Sequence, residues 1–235
     1  MLLMAKHIPF NQLTIVTQRR FKNNGFTRKN NRGIDTETNK GYVRLIADNT
    51  GDYKLVDNLT EILQFLTRSK FKNDFNWFYN IKYDFESIIK YLDEDELYEL
   101  YYEKSIQYGR YHIQYLDKKF FGIRDNHNDH YYFYDLFNFL ETSLNNASKN
   151  YLQDQKLEYR VCAKRLNLDW NYWELEKERI IKYCVKDANL TKRLADYFWD
   201  LIYKNLNYFP KENYQKNILC RNAIYLRLTI YLNKS

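Results

Sequence analysis

Apolar and polar positions change rhythm several times along this chain, and each change marks an element. Arg32-Gly33-Ile34-Asp35-Thr36-Glu37-Thr38 alternates with the period of a strand, and Gly41 to Ala47 continues in the same sense. Leu59, Ile62, Leu63 and Leu66 follow helical spacing behind Asn58, which predicts an N-capped helix to Thr67. Trp77-Phe78-Tyr79 is a short apolar run, the mark of a buried strand. It leads through Asn80 into an amphipathic helix carrying Phe85, Ile88, Ile89 and Leu92. Between Ile106 and Tyr134 the alternation predicts a β-hairpin or meander turning at Asp125-Asn126-His127-Asn128-Asp129. Ile180, Ile181, Cys184, Val185, Ala188, Leu190, Leu194 and Phe198 then recur at helical spacing.

Strand and helix signals interleave without internal repeats or Gly/Pro-rich linkers, so the expectation is one α/β unit. Residues 1–31 hold a strand candidate, Leu13-Thr14-Ile15-Val16, and a basic polar stretch from Gln18 to Arg32. Residues 32–209 form the central domain. Residues 210–235 are basic and partly apolar (Ile218, Leu219, Ile224, Leu226, Leu228, Ile230), suited to a closing helix or a partner-facing element.

Composition narrows the class. At 235 residues the chain is long enough to bury a sizeable core, and 45% apolar with 18% aromatic content argues against disorder. Lys plus Arg exceed Asp plus Glu by 37 to 30, a formal charge of +7 that suits a polyanionic partner. Cys162, Cys184 and Cys220 are odd in number and lack Cys-x-x-Cys spacing, which points to a reducing compartment. The start, Met1 to His7, is too soon charged for a secretory signal, and no run approaches a membrane span. A soluble cytoplasmic protein of prokaryotic or viral origin, without a membrane partner, is expected.

Three acidic stretches carry the chemistry: Gly33-Ile34-Asp35-Thr36-Glu37, Asn80-Ile81-Lys82-Tyr83-Asp84 and Tyr183-Cys184-Val185-Lys186-Asp187. Asp35 and Glu37, two apart on a strand, project from one face. Asp84 falls in the first turn of its helix. Tyr183 and Asp187, one helical turn apart, share a face. With 17 Asp and 13 Glu, about one Asp-x-Glu arises by chance, and Asp84-Phe85-Glu86 is another. Tyr53/Asp57, Tyr91/Asp95 and Tyr131/Asp135 repeat the Tyr183/Asp187 spacing, whereas Asn-x-x-Tyr-Asp occurs once. The signal lies in order, separation and setting. Hard oxygen donors of this kind suit Mg²⁺ or Mn²⁺. His127 and His130 between Asp125 and Asp129 read instead as a solvated turn, and Tyr131-Tyr132-Phe133-Tyr134 as a half-buried strand.

The three stretches resemble the three exonuclease motifs of family-B DNA polymerases, particularly the protein-primed and viral or archaeal-type branch. Tyr134-Asp135-Leu136-Phe137-Asn138-Phe139-Leu140, with Thr142-Ser143-Leu144 and Ala147 to Leu152, is similar to that family's strand and helix between its second and third motifs. The likeness covers roughly residues 30 to 203. It implies a ribonuclease-H-like exonuclease fold, a mixed sheet flanked by helices. It further implies a 3′→5′ exonuclease of the "DEDD" class in its tyrosine form, since Lys182 stands where the histidine form has its histidine.

By the same resemblance Asp35 bridges two cations, Glu37 and Asp187 complete one site, Asp84 holds the other, and Tyr183 orients the attacking water. Thr36 and Asn80 are implied to grip the 3′-terminal nucleotide, with Phe85 as a stacking or packing partner beside them. Lys156 and Lys164 are both candidates for the family's phosphate-contacting lysine. Neither the family's Asp-Thr-Asp palm signature nor its Ser-Leu-Tyr-Pro element occurs, so no nucleotide incorporation is expected. The favoured substrate is single-stranded DNA, with the chain acting alone or as the proofreading part of a split polymerase. An RNA 3′-exonuclease and a non-catalytic nucleic-acid-binding or polymerase-partner domain are the alternatives.

Overall fold

Strand β1 (Asn31–Asn39) forms a hairpin with β2 (Tyr42–Asp48) through Lys40 and Gly41, both at positive φ (53° and 77°). Two consecutive left-handed residues match the twist of a two-residue hairpin. The computed structural model describes residues 29–117, 120–157 and 163–206. Leu13–Val16, the basic stretch up to Arg28, Cys162, Cys220 and the 210–235 segment lie outside the described residues.

The remaining strands are β3 (Tyr53–Leu55), β4 (Phe75–Phe78), β5 (Ser105–Tyr108), β6 (Tyr111–Leu116), β7 (Phe120–Arg124) and β8 (His130–Asp135). They make one eight-stranded mixed sheet in the order β3-β2-β1-β4-β8-β7-β6-β5. β1, β4 and β8 run parallel, and every other neighbouring pair is antiparallel. The expected meander is therefore present as β5 to β8, turning between Arg124 and His130.

Helices cover the sheet because alternate strand residues are apolar on each side. Ile34, Ile46, Phe78 and Phe133 pack with α1 (Leu59–Leu66) and α2 (Ile81–Ile89). Leu45 and Ala47 pack instead with Trp173, Ile180 and Cys184 of α7 (Trp170–Leu206). Phe75 and Trp77 meet Leu190, Leu194, Phe198 and Trp199 farther along that helix. The Asn58 side chain caps α1 through the Glu61 amide, as expected. α3 (Glu94–Glu103) leads into β5, and α4 (Phe137–Leu140), α5 (Leu144–Leu152) and α6 (Ala163–Leu168) connect β8 to α7.

One close approach sets the depth of the site. A Cβ at Gly33 would lie 1.9 Å from the Ala188 carbonyl oxygen and 2.6 Å from the Lys192 nitrogen. Only a residue without a side chain lets β1 lie so near the α7 backbone. Asp35 follows Gly33 by two residues, and Asp187 precedes Ala188. This close strand–helix approach thus adjoins both acids.

Candidate active site

The three acidic stretches converge, although they come from β1, α2 and α7. Strand alternation turns Asp35 and Glu37 to the α7 side, where carboxylate oxygens of both and the Cys184 sulfur lie within 4.8 Å of one another. β1 bulges between Glu37 and Thr38, ending the regular pairing directly behind the second acid. Thr36 points the other way and meets α2: its Oγ1 donates to Asp84 Oδ1 at 2.6 Å. Asp84 stands in the first turn of α2, as the sequence predicts.

Burial raises the pKa of all four acids, and mutual repulsion adds to it for Asp35 and Glu37. Burial first, then repulsion from Asp187, Glu37 and Asp84, holds Asp35 well above the ordinary carboxylate range. Glu37 is pushed up to about 8, by burial and then by Asp187. Burial raises Asp84 to about 7 despite its hydrogen bond from Thr36. Asp187 is raised to about 6 by burial, with the Lys156 charge opposing. Carboxylates placed this close ionise together only when positive charge joins them.

Asp35, Glu37, Asp84 and Asp187 are the groups here that could hold divalent cations. The donors are hard carboxylate oxygens, and Asp187 is 3% exposed with an Oδ1 that has no hydrogen-bond partner. A buried, unpaired carboxylate oxygen is costly unless something polar or charged meets it. Cys184 is a poor further ligand: its buried thiol already donates to the Asp35 carbonyl at 3.3 Å, and burial pushes its pKa well up. It serves as packing.

Of the two lysine candidates, Lys156 stands in the site. Its ammonium pairs with Asp187, donates to the Tyr183 hydroxyl and lies 4.6 Å from the centre of the Tyr183 ring. Burial alone would lower its pKa, but Asp187 and the Tyr183 hydrogen bond outweigh that and raise it. The pair keeps Lys156 charged. The side chain of Lys164 lies outside what the structure describes. Tyr183 is half-buried, and burial followed by the Asp187 charge raises its pKa, so its hydroxyl stays protonated near neutrality.

Beside Asp84 a cleft of about 380 Å³ is lined by Thr36, Thr38, Gly41, Tyr83, Ser87 and Lys90, among others. Phe85 does not reach it. That ring is fully buried, stacked on Tyr115 at 3.7 Å and tilted against Phe121, so its place is the core and not a substrate contact. The aromatic that lines the cleft is Tyr83, 69% exposed, which the sequence reading passed over. Asn80 sits at the N-cap of α2 in the left-handed region (φ 68°), without a side-chain capping bond. Its amide donates to Asp135 Oδ1 at 2.9 Å, and the Phe137 amide donates to the same oxygen at 2.9 Å.

Asp135, the acid of one repeated Tyr-x-x-x-Asp spacing, is therefore a structural anchor for the turn at Asn80. Burial raises its pKa to about 6. The other two repeats end elsewhere: Tyr53 is exposed on β3, and Tyr91 donates to the Val43 carbonyl. The His127/His130 segment is a turn organised by Asp125, whose Oδ1 accepts from the His127 and Asp129 amides. Among the described residues, no metal-type cluster of His, Cys, Asp and Glu appears there.

No family model, curated protein or solved structure matches this chain. Among the described residues no helix is long and apolar enough to cross a membrane.

Proposed function

We propose that this protein is a metal-dependent 3′→5′ exonuclease that releases 5′-mononucleotides from single-stranded DNA. The observation that carries this reading is the meeting of β1, α2 and α7: Asp35 and Glu37 lie against Cys184 of α7, Asp84 is bonded to Thr36 between them, and Lys156 joins Asp187 to Tyr183. Strand order β3-β2-β1-β4-β8, with β1, β4 and β8 parallel, is compatible with a ribonuclease-H-like fold extended at the edge by β5 to β7.

Asp35, Glu37, Asp84 and Asp187 would hold two Mg²⁺ or Mn²⁺ ions, which when bound supply Lewis-acid stabilisation of the charge that builds up at phosphorus. The protein's own groups do the rest. Tyr183 keeps its proton and orients the attacking water through its hydroxyl. Lys156, held charged beside it, stabilises negative charge on the scissile phosphate. The water oxygen bonds to phosphorus and releases a proton to solvent while the bond to the 3′-oxygen of the preceding nucleotide breaks, and that oxygen takes up a proton from solvent. Thr36 and the exposed Tyr83 line the approach, with Asn80 at the head of the same helix, and base–aromatic stacking on Tyr83 tolerates any sequence. The terminal nucleotide must leave the stack to enter, so single strands and frayed ends are favoured over paired duplex.

The test uses 5′-end-labelled single-stranded DNA and RNA with Mg²⁺ or Mn²⁺, comparing wild type with Asp35→Ala/Asp84→Ala. Stepwise shortening from the 3′ end, dependent on the metal and lost in the variant, is expected. Faster shortening of RNA would reassign the substrate. Activity surviving excess chelator, or starting at the 5′ end, would overturn the reading. Binding of the strand without cleavage would favour a non-catalytic role.

A further inference from the structure

The segment after α5 is short, yet it places Lys156 against both Asp187 and Tyr183. α5 ends at Leu152, and Gln153 turns the chain in the left-handed region (φ 51°). Asp154 comes next. Its carboxylate accepts from Lys186 Nζ at 3.0 Å and 2.9 Å and from Arg193, both on α7. Lys186 and Arg193 are seven residues apart, about two helical turns, so one face of α7 offers both cations. The Asp154 amide donates to the Ser148 carbonyl at 3.3 Å, and the Lys156 amide to Asn145 Oδ1 at 3.3 Å. The clamp is made on the same helix that carries Tyr183 and Asp187, with Lys186 directly adjoining Asp187.

We propose that Asp154 is a positioning residue: gripped by Lys186 and Arg193, it fixes the loop so that the Lys156 ammonium is delivered to Asp187 and Tyr183. This rests on the exonuclease reading for its kinetic consequence, but the placement of Lys156 does not. A lysine carries four rotatable bonds and loses much entropy when confined. Anchoring the backbone two residues away shortens the free lever and keeps the ammonium within reach of its partners. Hydrogen bonds from Lys186, then Arg193, hold the Asp154 pKa down near 2, so the clamp stays charged throughout the working range.

A double-mutant cycle separates positioning from general support. Wild type, Asp154→Ala, Lys156→Ala and the double variant are compared on single-stranded DNA with Mn²⁺. If Asp154 acts through Lys156, Asp154→Ala lowers kcat about tenfold in the wild-type background, with KM little changed, and by less than about twofold once Lys156 is gone. Equal losses in both backgrounds would overturn the proposal while leaving the exonuclease reading intact. The second readout needs no activity: acetylation of Lys156 by an amine-reactive reagent, followed by mass spectrometry on the metal-free protein. Labelling rises several-fold in Asp154→Ala, and in Asp154→Asn should the alanine variant fold poorly. Unchanged labelling in a variant with wild-type melting overturns the placement. Absence of cleavage by wild type would defeat the exonuclease reading alone, because the labelling result still decides the clamp.

Discussion

Thr36 Oγ1 donates to Asp84 Oδ1 at 2.6 Å, and this bond ties the middle of β1 to the first turn of α2. It also lowers the pKa of a carboxylate that burial drives upward. Thr36→Val keeps the shape and removes the donor. Asp84 then becomes harder to ionise, and Mn²⁺ binding, followed by calorimetry across pH, should move its midpoint upward by roughly one unit. A midpoint that stays put or moves to lower pH would show that the bond does not govern Asp84.

Stability of the metal-free protein should fall as pH rises. Glu37, Asp84 and Asp187, at about 8, 7 and 6, and Asp35 all titrate higher folded than unfolded. The folded chain then holds more protons between about pH 4 and pH 8. The stability these groups contribute is full below about pH 4 and is lost as pH climbs through the folded values. Asp35→Asn/Glu37→Gln should flatten this slope in melting experiments. Mn²⁺ should raise the melting temperature most at the alkaline end, where it joins already ionised carboxylates. A metal effect larger at pH 5 than at pH 8 would contradict the account.

Severity should separate the acids from the tyrosine. Asp35→Ala or Asp84→Ala removes part of a cation site, and each ~1.4 kcal/mol is tenfold, so rate losses on the order of 10³-fold or more are expected. Tyr183→Phe loses one hydroxyl contact and should cost roughly 10- to 100-fold. Tyr53→Phe and Tyr131→Phe should leave cleavage near wild type. Damage from either comparable to Tyr183→Phe would mean the wrong tyrosine has been assigned.

Tyr83 and Phe85, two residues apart on α2, should respond in opposite ways. Phe85→Ala empties a buried site stacked on Tyr115 and should cost about 3–5 kcal/mol of stability, read as a lower melting temperature. Tyr83→Ala removes an exposed ring, so melting should hold while KM for single-stranded DNA rises severalfold. A Tyr83 variant with unchanged KM would remove that ring from the substrate path.

The acids were legible in the sequence because their placement depends on local period. Asp35 and Glu37 need only strand alternation, and Tyr183 and Asp187 need only one helical turn. The burial of Phe85 is legible too: Ile81, Phe85 and Ile88 fall at i, i+4 and i+7 and are all buried, while Tyr83 lies off that stripe. Lys156 was not legible. Its position depends on ion pairs from Asp154 to residues 32 and 39 places later, which no local pattern announces. Asp135 is set apart from the site by position and setting alone. Its spacing from Tyr131 copies the third motif, and only the structure shows that its carboxylate accepts backbone amides, those of Asn80 and Phe137 among them.

Gly33 makes the site a gauge of helix-to-strand spacing. A methyl group at that position would strike the backbone of α7, which has no side chain to swing aside. Gly33→Ala should therefore displace the helix, and Asp187 and the Lys186–Arg193 grip would travel with it. The same steric fact separates the two acid-x-acid pairs of this chain. A bare acid-x-acid pair is cheap to produce by chance, but one preceded at two residues by glycine meets a requirement imposed by a helix far away in sequence. Asp84-Phe85-Glu86, with Lys82 at the corresponding place, fails that filter; Asp35-Thr36-Glu37 passes it.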